Sequence, residues 1–173
     1  MLLDGYWKKE LQRNIKNLKL WLRLSSVFTQ YAEHMINQNI LYSAIVMRKM
    51  FEDEKHYENL CVKNKHPQPR FELLKYKVEV RVSPFCGDKD FIFEQLSPGD
   101  YDFKQSKTEK VGLNFLCNQI IHSFKWSVVY FRNSRKVYGF SVASDKESDK
   151  NVYLFEINEF IKVMEFCIEN GNI

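Results

Sequence analysis

Glycine and proline are scarce in this chain, 6 and 4 among 173 residues, which excludes collagen-like and low-complexity architectures. Net charge is small, formally +4, and excludes little by itself. No stretch approaches the about 18 uninterrupted apolar residues of a membrane-spanning helix. The start, Met1-Leu2-Leu3-Asp4-Gly5-Tyr6-Trp7, lacks the apolar core and small-residue cleavage site of a secretory signal, so a cytoplasmic location with no membrane contact is the expectation. Cys61, Cys86, Cys117 and Cys167 form no Cys-x-x-Cys pair, which argues against a zinc site. They read as reduced thiols, with Cys117 and Cys167 as small core residues. No Gly-x-Ser-x-Gly, Walker or Rossmann pattern occurs, so hydrolase, kinase and dehydrogenase readings lack a motif. His34, His56 and His66 have no ligand spacing, and the consecutive carboxylates Glu52, Asp53 and Glu54 diverge by about 100° each on a helix. No metal and no cofactor is expected.

Aromatic residues, by contrast, are abundant: 14 Phe, 9 Tyr and 3 Trp make up 15% of the chain. That is more ring area than a core of this size needs, so some rings are expected in a groove or on a partner surface. The length fits one domain, residues 1–173. The charge is also unevenly placed. Met1–Ser25 carries Lys8, Lys9, Arg13, Lys16, Lys19 and Arg23 against Asp4 and Glu10, and the remainder balances at 20 basic and 20 acidic residues (26 − 6 and 22 − 2).

Hydrophobic spacing predicts a helix over residues 6–35, with Trp7, Leu11, Ile15, Leu18 and Leu22 at three- and four-residue steps. A turn is expected at Ile36–Asn39 and a second helix over 40–59, so that residues 1–60 form an antiparallel helical hairpin. The prolines of His66-Pro67-Gln68-Pro69 end that pattern. Residues 61–107 then read as a partly extended, loop-rich segment, with strand-like alternation over Leu74–Val82. A helix is predicted over 108–124, antiparallel strands within 126–157 around a hairpin at Asn133-Ser134-Arg135, and a last helix over 158–170 ending at Asn170-Gly171. The fold class is α+β: a helical bundle with a long N-terminal helix pair and an appended antiparallel hairpin or three-stranded sheet.

Within the predicted 108–124 helix, Asn118 and His122 are four positions apart and share a face. Two readings follow. Either the pair is a structural network, bridging to Tyr42, Ser43 or a backbone carbonyl, because buried polar groups must be hydrogen-bonded. Or it is a site, with His122 handling a proton and Asn118 orienting it or a phosphate. The Asn118-x-x-x-His122 helix behind a long antiparallel helix pair resembles the signature helix of the HEPN superfamily of small bacterial and archaeal helical proteins. The resemblance covers one helix closely and the bundle loosely. It implies a dimeric, metal-independent ribonuclease that brings two such motifs together, and a place in bacterial conflict or defence systems. The chain departs from the family pattern where its arginine would stand, at Cys117. A cation must then come from elsewhere to neutralise phosphate charge, and Arg48 on the second helix is the candidate. Its plainer reading is an ion pair with Glu52.

Two further surfaces stand out. Lys9, Arg13, Lys16, Lys19 and Arg23 follow a helical step on one face, fit to track a phosphate backbone or an acidic protein, with Tyr6, Trp7 and Trp21 as nearby rings. Tyr130, Tyr138 and Tyr153 lie on the predicted strands and are candidates for an aromatic partner surface. Three functions therefore stand: a non-catalytic binding protein of the antitoxin or immunity kind, acting on a toxin or defence component or pairing with itself; a HEPN-like ribonuclease with a rearranged site; and a nucleic-acid-binding accessory subunit.

Overall fold

The computed structural model describes residues 5–27, 29–65, 70–87 and 99–171. It is α+β, as expected, but the sheet is a full layer of the fold. Helix α1 spans Tyr6–Leu24, α2 Thr29–Asn64, the short α3 Glu72–Lys75, α4 Leu113–Ile121 and α5 Ile157–Asn170. The strands are β1 Lys77–Pro84, β2 Lys107–Gly112, β3 Ser123–Tyr130, β4 Val137–Ser144 and β5 Asn151–Glu156. They form one five-stranded sheet in the order β2-β1-β5-β4-β3, antiparallel throughout. Among the described residues no helix is long and apolar enough to cross a membrane.

The helix pair breaks earlier than its hydrophobic spacing predicts. At the end of α1 the Ser25 hydroxyl donates to the Leu22 carbonyl at 2.8 Å and that of Ser26 to the Arg23 carbonyl at 3.5 Å, local bonds that compete with further helix. The turn expected at Ile36–Asn39 is instead the middle of α2. There Asn39 Nδ2 donates back to the Met35 carbonyl at 2.7 Å, and Asn37 Oδ1 accepts from Trp126 Nε1 at 2.9 Å, so both amides are satisfied without leaving the helix. The antiparallel arrangement itself holds: Trp21 meets Tyr31 edge-on near the connection, and Glu10 reaches Tyr42 further along.

The predicted 108–124 helix divides. Thr108 to Gly112 pair with β1 as strand β2, and only Leu113–Ile121 is helical. Segment 61–107, expected to be partly extended and loop-rich, supplies β1 where its strand-like alternation lay, and β1 pairs with both β2 and β5. Val78, Val80 and Val82 of β1 point into the core while Lys77, Glu79 and Arg81 face out, the alternation of a half-buried strand. The sheet thus grows from an expected three strands to five, since β1 and β2 flank the C-terminal meander.

The core lies between this sheet and α1, α2, α4 and α5. Phe140 sits at its centre, stacked on Trp126 and Phe155 with centroids 5.1 and 5.4 Å away and meeting Phe160 edge-on at 5.3 Å. Several rings thus fill the core, while others, Tyr31, Phe124 and Phe131 among them, stay exposed. Gly139 beside Phe140 is required by close approach: a Cβ would lie 2.1 Å from the Phe155 carbonyl oxygen. On the opposite sheet face a smaller cluster of Tyr101, Ala143 and Val152, with Phe85 packed against it, covers part of the sheet. The four cysteines are unpaired; Cys61, Cys117 and Cys167 are buried and Cys86 is exposed.

Candidate functional site

Helix α4 buries Leu113, Leu116, Cys117 and Ile120 and leaves Asn118 on its more open side. His122 ends the helix: its N–H donates to the Asn118 carbonyl at 3.0 Å and its backbone leaves helical geometry at ψ 28°. The turn after β4 is fastened to this end of α4. Ser144 N–H donates to Gln119 Oε1 at 3.0 Å, and Asp145 N–H to the His122 carbonyl at 3.3 Å.

Arg48 comes in from α2. Its Nε donates to Glu52 Oε1 at 2.8 Å, and its Nη1 lies 3.3 Å from His122 Nε2. A guanidinium has only donors, so Nε2 accepts and the imidazole in this contact is neutral, with its proton on Nδ1. Arg48, Asn118 and His122 line one cavity of about 440 Å³ together with Phe115, Gln119 and the turn residues Asp145 to Glu147. Asn118 Oδ1 is buried with no hydrogen-bond partner. The structure thus brings together all three residues singled out in sequence. It does not join Asn118 or His122 to Tyr42 or Ser43, which bond instead to Glu10 and to the Asn39 carbonyl. Cys117 is a core thiol whose pKa burial pushes far up, which leaves it inert. The cavity is lined by a cation, an amide and an imidazole whose acceptor nitrogen is engaged by that cation. Among the described residues no three His, Cys, Asp or Glu side chains converge as a metal site would require.

On α1, Lys9, Arg13, Lys16 and Arg23 are exposed. Lys19 is exposed as well and forms a surface ion pair with Glu165 of α5 at 3.0 Å. Arg13 bonds to Glu10, and Tyr42 of α2 donates to the same Glu10 Oε2 at 3.1 Å. Burial, then the bond to Glu10, raises the Tyr42 pKa. One carboxylate therefore ties the basic stripe of α1 to the exposed Leu41, Tyr42 and Ile45 of α2. Of the rings expected beside the stripe, Tyr6 is exposed, whereas Trp7 and Trp21 pack against the core.

The aromatic surface expected from Tyr130, Tyr138 and Tyr153 is not assembled. Tyr153 is buried at 6% exposure, its ring against Phe115 and its hydroxyl donating to Glu147 at 3.1 Å. Tyr130 is tied to Glu33 at 2.8 Å and Tyr138 to Glu156. Each phenol is satisfied by a carboxylate of a neighbouring element, which holds the rings down.

Sequence reasoning missed Lys125. It is fully buried, with Nζ 2.6 Å from Asp100 Oδ2 and 5.8 and 5.2 Å from the ring centroids of Phe85 and Tyr101. A lysine between Phe124 and Trp126 in a strand was the available signal. It clamps the Phe85–Tyr101 bridge onto the outer face of the sheet.

No family model, curated protein or solved structure matches this chain.

Proposed function

We propose that this chain is a non-catalytic binding protein of the antitoxin, immunity or defence kind, acting by protein–protein contact on an acidic partner. The observation that carries the reading is the sharing of Glu10 between Arg13 and Tyr42, which makes the cations of α1 and the apolar strip of α2 one continuous surface. Cations beside exposed Leu41, Tyr42 and Ile45 suit a partner with carboxylates around an apolar anchor. A photo-crosslinking residue in place of Leu41, introduced in cells, tests this. The expected result is one acidic protein adduct that disappears when Lys9, Arg13 and Lys16 are reversed to Glu at unchanged melting temperature. Adducts to RNA alone, or a protein adduct indifferent to the charge reversal, would overturn it.

The Arg48–His122 contact favours a second reading, a HEPN-like ribonuclease with a rearranged site. It supplies from another helix the cation that Cys117 does not. Cleavage of RNA in the presence of a chelator, abolished by His122→Ala and by Arg48→Ala, is its test; intact RNA removes it.

A further inference from the structure

The two edges of the sheet are treated differently. On β2 the exposed side chains are Lys107, Thr108, Glu109 and Lys110, and charged residues of this kind prevent edge-to-edge pairing. On β3 the one charge, Lys125, is buried, and from Trp126 to Phe131 no residue is charged. Phe124 and Phe131 at its two ends are 37% and 49% exposed. α2 runs beneath this edge, held by Trp126 to Asn37 and Tyr130 to Glu33, and there Tyr31 and Leu41 are exposed as well. A largely apolar groove of about 210 Å³, lined by His34, Leu41, Ile120 and Trp126 among others, opens alongside.

We propose that β3 is the pairing edge of a homodimer, joined antiparallel to β3 of a second copy so that two five-stranded sheets become one. Charge placement selects a second copy. The turn that follows β3 carries exposed Arg132, Arg135 and Lys136. At the other end of β3 stands the exposed carboxylate of Asp145, whose N–H is bonded to the His122 carbonyl. Glu147 beside it is engaged by Tyr153 and Lys150. Antiparallel pairing sets the end of one β3 against the start of the other, so Arg132 of each copy meets Asp145 of the other, twice over by symmetry. Centred on Ser127, the register also sets Trp126 opposite Val128 of the second copy, an aromatic on a β-branched residue, and leaves Lys125, the one charge of β3, opposite Val129. This surface meets the α1–α2 surface of the proposed function at Leu41 but does not depend on that reading.

Sedimentation across a concentration series tests the proposal. The expected species has twice the 20.8 kDa chain mass. Ser127→Lys, which places two lysines face to face at the axis, raises the dimer dissociation constant about tenfold or more. Arg132→Glu and Asp145→Arg each weaken the dimer, and the double swap restores it, which loss of folding would not do. In a Cys86→Ser background, Ser127→Cys forms an intermolecular disulfide under mild oxidation, while Thr108→Cys on the β2 edge does not. A monomer at every concentration overturns the proposal. So does a dimer that is indifferent to Ser127→Lys and to the swaps, or one that is trapped equally well from β2.

Discussion

Arg48 Nη1 lies 3.3 Å from His122 Nε2 although the two residues are 74 positions apart in the chain. In this contact the imidazole is the acceptor, at Nε2, because an arginine can only donate.

The Nδ1–H tautomer of His122 is therefore the expected form of the neutral ring. Nitrogen-15 NMR of the histidine side chains at pH 8 checks this: wild type shows the Nδ1–H pattern for His122. Arg48→Ala relaxes it toward the mixture of a free imidazole. A wild-type spectrum dominated by Nε2–H would mean that the contact does not form.

Lys125 and Asp100 form a pair in which one partner is fully buried and the other is 20% exposed. Asp100→Ala leaves an uncompensated buried ammonium and is expected to cost about 3–5 kcal/mol in urea unfolding. Lys125→Met leaves a carboxylate that water can reach and keeps the packing against Phe85 and Tyr101, so its cost is smaller. Equal losses for the two variants would contradict this asymmetry.

Thiol chemistry should separate the cysteines. Burial pushes the Cys117 pKa far up and that of Cys167 up to about 12, and Cys61 is buried at 4% exposure. Native protein treated with a thiol reagent at pH 8 is expected to give one fast equivalent, at Cys86, with the other three reacting only on unfolding. Loss of the fast phase in Cys86→Ser confirms the assignment.

Stability should fall at alkaline pH. Burial, and then the bond to Glu33, raises the Tyr130 pKa from 10.0 to about 12, because both favour the neutral phenol. The unfolded chain ionises first, so this contribution is complete below pH 10.0 and is lost between 10.0 and about 12. Tyr101 and Tyr153 shift in the same direction. Chemical denaturation across that window is expected to show a shallower decline for Tyr130→Phe than for wild type.

The elements that could be read from sequence are those bounded by local chemistry. Strands β4 and β5 lie inside the span expected for antiparallel strands, and helix α5 is within a residue of its expected ends. Asn133 takes the left-handed conformation, φ 60°, that its hairpin needs, and α5 ends at the expected Asn170-Gly171. The failures sit where a distant partner decides. Asn37 and Asn39 read as a turn until Trp126 and the Met35 carbonyl satisfy them, and Thr108 to Val111 read as helix until β1 offers a ladder. In the candidate site, the shared face of Asn118 and His122 follows from helical spacing alone.

By itself, the sequence determined the α+β class, the cation-rich face of α1 and the local Asn118–His122 pair, because each depends on a repeat or turn only a few residues long. Only the tertiary structure decided that Arg48 meets His122, that Tyr153 is buried, that Lys125 is enclosed by Phe85 and Tyr101, and that β3 is left at an uncharged edge. Those outcomes depend on which strands pair and which helices cover them, and each is settled by contacts between residues far apart in the chain, which local periodicity does not encode.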